Sequence, residues 1–172
     1  MPQPPQHDPQ TVDRLVSGAT FSRCRRYRYA LWRVWDNGPL ALFIGLNPST
    51  ADAERNDPTV RRCIGFARDW GYAGLLVANI FAFRSTDPKG LTETANPVGP
   101  RNNHWIVRLH QRADITIAAW GVGGALHNRG RAVLSRLTDP HCLGETKAGA
   151  PRHPLYVSSK TRPRLFQPGS IA

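Results

Sequence analysis

Lysine is almost missing from this chain. Of its 23 basic residues only Lys89, Lys147 and Lys160 are lysine, and the rest are arginine. Cysteine is also scarce: Cys24, Cys63 and Cys142 lie far apart, and no pair has zinc-finger or redox spacing. This excludes a disulfide framework and points to free thiols. Cys63 falls on the apolar face of an expected helix, where burial is its natural role. No HxH, HExxH or paired-Cys pattern occurs, so no metal and no cofactor are expected. No apolar run approaches the roughly 18 residues that a membrane helix needs. No apolar segment opens the chain, so a cytoplasmic protein without membrane association is expected. Internal repeats and linkers are absent as well. The Gly121-Val122-Gly123-Gly124 run lacks a Walker lysine and the full dinucleotide fingerprint, which excludes a P-loop triphosphatase and a Rossmann dehydrogenase.

What is present begins with charge. The formal net charge is +11 over 172 residues. Arginine presents a planar fork that grips phosphate at two points. A polyanionic partner, nucleic acid or nucleotide, follows from that excess. A GC-rich genome, which also exchanges lysine for arginine, gives the same composition without any such partner. The length suits one domain with a proper core.

Residues 1–20 read as a disordered tail, since the first twelve are rich in Pro and Gln and have no hydrophobic period. A single α/β domain is expected over 21–160, followed by a basic tail over 161–172. The aromatic-rich run Tyr27–Trp35 suits a strand. Asp36-Asn37-Gly38-Pro39 is a turn, and Leu40–Ile44 returns as a second strand. Together they read as an antiparallel hairpin with its first strand at the sheet edge. Asn56-Asp57-Pro58 starts a helix, with Val60, Cys63, Ile64, Ala67 and Trp70 at helical spacing and Gly71 at its end. Gly74–Ile80 is a continuous apolar run, the mark of a parallel strand buried on both faces. A helix over 102–113, a strand over 114–120 and a helix opening at Gly123 and Gly124 follow. The expected fold is α/β: a three-layer α/β/α sandwich with a mainly parallel sheet and an N-terminal antiparallel edge hairpin.

Ligands of such sheets bind outside the carboxyl ends of the strands. Three loops qualify, at 45–52, 79–87 and 121–125, and the loop 146–154 can close over them. Gly45 and the turn Asn47-Pro48 leave the second strand, with Ser49 and Thr50 adding hydroxyl and N–H groups suited to a phosphate or an oxyanion. Two roles fit Asn47: holding a water or reading a base edge, or bonding the backbone of its own turn. Asp52 either activates a water or is solvated. Asp57 reads as a helix cap. Asn79 ends a buried strand, where an amide needs a partner or a ligand. In Phe81-Ala82-Phe83-Arg84, Phe81 or Phe83 can stack on a base while Arg84 takes a phosphate; the plainer alternative is a core Phe beside an exposed Arg. Lys147 and Arg152 suit phosphates or solvent. His153, between Arg152 and Pro154, suits donation to a leaving group, or a structural role.

At these residues the sequence resembles domain-of-unknown-function family 1643, over about residues 27 to 157. The family's Gly-Leu-Asn-Pro-Ser-Thr-Ala-Asp stretch stands at Gly45–Asp52 and its Asp-Pro-Thr helix start at Asp57–Thr59. The Gly-Tyr-x-Gly strand entry stands at Gly71–Gly74, Asn-x-Phe-Ala-x-Arg at Asn79–Arg84, and Lys-x-Gly-x-Pro-Arg-His-Pro-Leu-Tyr at Lys147–Tyr156. The family name supplies no activity. More distantly, Gly45-Leu46-Asn47-Pro48-Ser49 is similar to the first motif of the uracil-DNA glycosylase superfamily, in forms such as Gly-Ile-Asn-Pro-Gly. Asn79, Gly121 and His153-Pro154 stand in that superfamily's motif order. This chain has Ser49 where Gly is usual and Leu155 where Ser is common. The resemblance implies that Asn47 positions water, Asn79 reads a base and the His153 loop binds an extruded nucleotide. The expectation is a nucleic-acid or nucleotide enzyme of N-glycosylase type. A non-catalytic nucleic-acid-binding module and an enzyme of a free nucleotide or phosphorylated metabolite are the alternatives.

Overall fold

The computed structural model describes residues 16–168. Residues 1–15 and 169–172, most of the expected N-terminal tail and the last four residues of the C-terminal one, lie outside the described residues. The chain folds as an α/β structure around a mixed seven-stranded sheet of order β1-β2-β4-β3-β5-β6-β7. The strands are β1 (Val16–Phe21), β2 (Arg28–Val34), β3 (Leu40–Gly45), β4 (Gly74–Asn79), β5 (Ile115–Ala118), β6 (His141–Cys142) and β7 (Arg164–Leu165). The helices are α1 (Pro58–Asp69), α2 (Gly90–Glu93), α3 (Asn102–Arg112) and α4 (Arg129–Leu134). The sheet therefore takes in residues on both sides of the expected 21–160 boundary.

Alternation along the central strands divides the core. Leu42 and Ile44 of β3 pack with Leu76 and Ala78 of β4, Ile106 and Leu109 of α3 and Val133 of α4. The intervening Ala41 and Phe43 pack with Leu75 and Val77 and with Val60, Cys63, Phe66 and Ala67 of α1. Helices thus cover opposite faces because neighbouring residues of a strand point in opposite directions. All six residues of β4 are buried, as its unbroken apolar run requires. α1 begins where expected: Asp57 Oδ1 accepts the Val60 N–H at 2.8 Å, and Pro58 occupies the first turn.

The sheet departs from expectation in three places. β2 does not pair with β3. It pairs antiparallel with β1 and with β4, so the expected edge hairpin is replaced by one inserted strand. The turn at 36–39 is real, but the chain reverses around Ala73. Ala73 donates its N–H to Pro39 O (2.7 Å) and accepts from the Trp35 and Asp36 N–H groups (3.0 and 3.1 Å). A turn signal reports reversal of direction, and a fully buried strand needs two neighbours, so β4 takes the place between. Consequently the sheet is mixed rather than mainly parallel: β4, β3, β5 and β6 run parallel, while β1, β2 and β7 are antiparallel to their neighbours. Third, the segment after β5 is a tight 3₁₀ helix (Gly121–Asn128), broken where His127 and Asn128 adopt φ of 53°, before α4. The glycines there are poor helix formers. They make room for Trp120: a Cβ on Gly124 would meet its indole at 2.3 Å.

β3 and β4 are in register from Leu40 beside Gly74 to Gly45 beside Asn79, and β3 pairs with β5 up to Ile44 beside Ala118. The chain therefore leaves all four parallel strands at the same edge.

His110 links α3 to β5 and to the segment before β6. Its Nε2 accepts the Thr138 N–H (3.0 Å) and its Nδ1 lies 2.8 Å from Thr116 Oγ1. Burial holds its pKa below the ordinary 6.5. The unfolded state then binds more protons between the depressed and the ordinary value, so stability is complete above about pH 6.5 and falls as the pH drops through the folded value. Urea midpoints at pH 7.5 and pH 5 should show a larger drop for the wild-type chain than for His110→Gln. Equal drops would refute this role.

Candidate functional site

At the carboxyl edge of the parallel strands lies a cavity of ≈ 480 Å³. Gly45, Asn47 and Ser49 reach it from the end of β3, Asn79 from β4, Trp120 to Gly123 from the segment after β5, and Arg152, His153, Pro154 and Tyr156 from the late loop. Phe43, Val60, Cys63 and Val77 form an apolar wall, and Arg28 and Asp57 stand in it. An apolar cleft with a few converging polar groups is the usual form of a small-ligand site.

Six of the expected site residues meet here: Gly45, Asn47, Ser49, Asn79, Arg152 and His153. Asn47 uses both hydrogens of its amide on backbone, donating to Ser85 O (2.9 Å) and Pro48 O (3.1 Å). Its two alternatives therefore merge. The amide ties the turn to the next loop, and only Oδ1 is left over as an acceptor for a water or ligand.

Asn79 is 5% exposed, and its Oδ1 accepts from Arg28 Nη2 at 3.2 Å. Arg28 also donates to Ala51 O at 2.9 Å. Both acceptors are neutral. Burial lowers the Arg28 pKa to about 10, with Asp57 acting in the opposite direction, so the guanidinium stays cationic at neutral pH. Main-chain carbonyls at the end of β4 are gripped from the other face. Asn102 Nδ2 donates to Asn79 O (2.8 Å) and Ile80 O (3.1 Å), and Arg129 Nε donates to Ile80 O (2.7 Å).

His153 Nδ1 accepts the Leu155 N–H at 3.2 Å. That bond fixes the neutral tautomer, with its hydrogen on Nε2. Burial pushes its pKa below the ordinary value, against the pull of Asp57, so the neutral form prevails at pH 7. The late loop is pinned to the rest of the site: Gly121 N–H donates to Pro151 O (2.8 Å), and Arg62 donates to the carbonyls of Pro154 (3.3 Å) and Val157. Burial pushes the Cys63 thiol far up, which makes it an inert part of the wall.

Five expected residues stand elsewhere. Asp52 Oδ1 accepts the N–H groups of Arg55 (2.7 Å) and Glu54 (2.9 Å), which hold its carboxyl below the ordinary range and bind it to its own turn. Thr50 is exposed beside it. Phe83 packs edge-on against Tyr27, with ring centres 5.9 Å apart. Arg84 lies over the Phe21 ring at 4.8 Å and donates to Arg25 O (3.1 Å). Lys147 is exposed at the tip of a turn closed by Thr146 and Ala150.

Arg28, Asp57, Trp120 and Tyr156 complete the cavity without having been expected there. Asp57 keeps its expected capping role and adds a carboxylate to the wall. Tyr156 is 79% exposed at the cavity, with its ring centre 5.4 Å from that of His153. Its place two residues after His153-Pro154, in a loop already assigned to the site, is the signal by which the sequence could have found it. Among the described residues no three His, Cys, Asp or Glu side chains come together to hold a metal ion, and no helix is long and apolar enough to cross a membrane.

Losing the Asn47 amide in Asn47→Ala should destabilise the fold by about 1–2 kcal/mol, the range for two modest hydrogen bonds. Asn47→Asp should destabilise it more, because a carboxylate oxygen would then face the Ser85 and Pro48 carbonyls. Chemical denaturation of the three proteins decides; Asp tolerated better than Ala would overturn this account of the turn.

Searches of the curated proteins and of the solved structures find no significant match. A protein-family comparison matches residues 28–155 to the family described as protein of unknown function, DUF1643. That span holds every polar side chain of the cavity from Arg28 to His153, and the chain belongs to the DUF1643 family.

Proposed function

We propose that this protein acts on nucleic acid or a nucleotide, and that it hydrolyses an N-glycosidic bond with a base held in the cavity. The three-layer arrangement of the uracil-DNA glycosylase superfamily belongs to the same proposal. The observation that carries it is the meeting of Asn47, Asn79 and His153, from three separate loops, in one apolar-walled cavity of ≈ 480 Å³.

Cleavage breaks the bond between the sugar carbon and the base nitrogen; water supplies the new bond to that carbon, and the proton it loses ends on the departed base. Positive charge develops on the sugar and negative charge on the departing base. A neutral His153 suits the second charge, since its Nε2–H can donate to the base without first giving up a proton. The remaining acceptor of Asn47 suits the water. Asn79 and Arg28 form the floor where the base edge would lie. Tyr156 suits stacking at the mouth, the role expected of Phe81 or Phe83. Asp52 has no part, because its carboxylate is committed to its own turn.

Phosphates would lie outside the cavity, on Arg152 at its rim and on a basic ledge. In the ledge, Arg25 and Arg84 lie over the Phe21 ring at 4.3 and 4.8 Å. The ledge adjoins the cavity through hydrogen bonds. Arg84 N–H donates to Arg26 O (2.9 Å), Ser85 N–H donates to Pro48 O (2.9 Å), and Ser85 O accepts from Asn47 (2.9 Å). Arginines already held by an aromatic ring lose less freedom on meeting a phosphate.

An oligonucleotide panel of DNA and RNA, including damaged and hypermodified bases, tests the activity by mass spectrometry of released base. Release from at least one member is expected, with His153→Ala slower by about two to three powers of ten, as for loss of one preorganised donor. Binding without release across the panel would leave a recognition module in place of an enzyme. Binding should also weaken with salt, and each of Arg25→Ala and Arg84→Ala should reduce the log–log slope by about 0.7–0.9. An unchanged slope would remove the ledge from the interface.

A further inference from the structure

Arg129, at the start of α4, is a second buried cation and lies away from the cavity. It is 6% exposed. Its Nε donates to Ile80 O (2.7 Å) and its Nη2 to Asn103 Oδ1 (2.6 Å), and both acceptors are neutral. Among the described residues no carboxylate accepts from it. Burial first, and then Arg136, lower its pKa to about 10, so the guanidinium is still charged at neutral pH. Nη1 has no hydrogen-bond partner among the described residues. The one side-chain polar atom there that is both unpaired and sealed from solvent is Asn102 Oδ1, so Nη1 is unpaired but open.

Asn103 stands in the first turn of α3, an eleven-residue helix that begins without a side-chain cap and without an acidic residue in that turn. Asn102 N–H donates to Gly99 O (3.3 Å) and Trp105 N–H to Arg101 O (3.2 Å), while the N–H groups of Asn103 and His104 have no partner among the described residues. Such N–H groups, at the positive end of a helix, attract anions. Arg129 adds a full positive charge at the same turn from a different element. Neither Arg129 nor Asn103 lines the cavity. Their helices cover the face of the sheet opposite α1, whose Val60 and Cys63 wall the cavity. We infer that Arg129 and the first turn of α3 form a second anion site, separate from the cavity, that takes a phosphate group. A phosphate spreads its charge over several oxygens, so one can accept from the guanidinium while others accept from the helix N–H groups. The phosphate can belong to a phosphorylated small molecule or to a nucleic-acid backbone, and the site stands whether or not the cavity releases a base.

The variant that tests this is Asn103→Asp, which keeps the size of the side chain and sets a carboxylate against Nη2 and into the first turn of α3. The chain then supplies the missing negative charge itself, so the thermal midpoint in phosphate-free buffer should rise. Inorganic phosphate titrated into the full-length wild-type chain should move the amide resonances of Asn103 and His104 and the Nε–H resonance of Arg129. At about ten times the dissociation constant so obtained, it should raise the thermal midpoint by about 3–6 °C. Asn103→Asp should bind phosphate there at least about tenfold more weakly, in line with loss of a charge-assisted contact, and lose most of that rise. Reading the difference between the two proteins cancels salting effects and any phosphate held at the arginine ledge, which both share. A DNA duplex then separates the two sources. Weaker duplex binding by Asn103→Asp assigns the site to a backbone phosphate, and equal duplex binding beside lost phosphate binding assigns it to a phosphorylated small molecule. Resonances of Asn103, His104 and Arg129 that ignore phosphate, or equal phosphate affinity in the two proteins, would overturn the inference and leave the reading of the cavity untouched.

Discussion

One buried guanidinium holds the site together. Arg28 enters on β2, reaches the loop after β3 through Ala51 O and the end of β4 through Asn79 Oδ1. Among the described residues no carboxylate accepts from it. Removing a cation from water costs several kcal/mol even after relaxation, and neutral oxygens return only part of that. Asp57 offers charge from the start of α1, yet burial still lowers the Arg28 pKa to about 10. Such a centre is rigid because each of its neighbours would leave an unpaired donor behind by moving. It also leaves the cavity floor positive, which favours an anionic or electron-rich ligand.

The end of β4 needs this rigidity. Beyond Asn79 the chain leaves the sheet, yet the residues that follow remain buried: Ile80, Phe81 and Ala82 are each 0% exposed. Buried carbonyls without a ladder must find donors elsewhere. Asn102 and Arg129 supply them from α3 and α4, on the opposite face of the sheet from α1. The position of Asn79 is therefore set from both faces of the sheet at once, by its side chain on Arg28 and by its carbonyl on Asn102.

Local features were legible in the sequence, and relations between distant segments were not. The Asp57 cap, the buried run of β4 and the loops that leave the strands at 45, 79 and 121 follow from spacing and residue type. The neighbours of β2 depend on which strand fills the gap between two segments, and no local pattern records that. The same limit explains the site. Asn47, Asn79 and His153 stand at strand ends and loop bends, where position alone brings them to the edge. Asp52 and Arg84 stand equally close in sequence, but one is captured by its own turn and the other by Phe21. Arg28 was passed over because an arginine in an aromatic strand reads as a surface residue; its burial becomes apparent only once β1 and β4 flank it.

The insertion of Ala73 between Trp35 and Pro39 has a consequence for how the chain assembles. β2 finds its inner partner 40 or more residues downstream: Leu31 pairs with Val77 and Val34 with Gly74. The short loop between β2 and β3 brings the two strands near each other early, at low entropic cost, but in that state they enclose an empty slot. Only when α1 has swung β4 back alongside β3 can the slot fill, Ala73 latch both rims and β2 bring Arg28 to Asn79. Pairings of this span favour slow folding, because the entropy of loop closure is lost before the contacts are gained. The pocket stands at the seam of that closure, since Arg28 comes from β2 and Asn79 from β4.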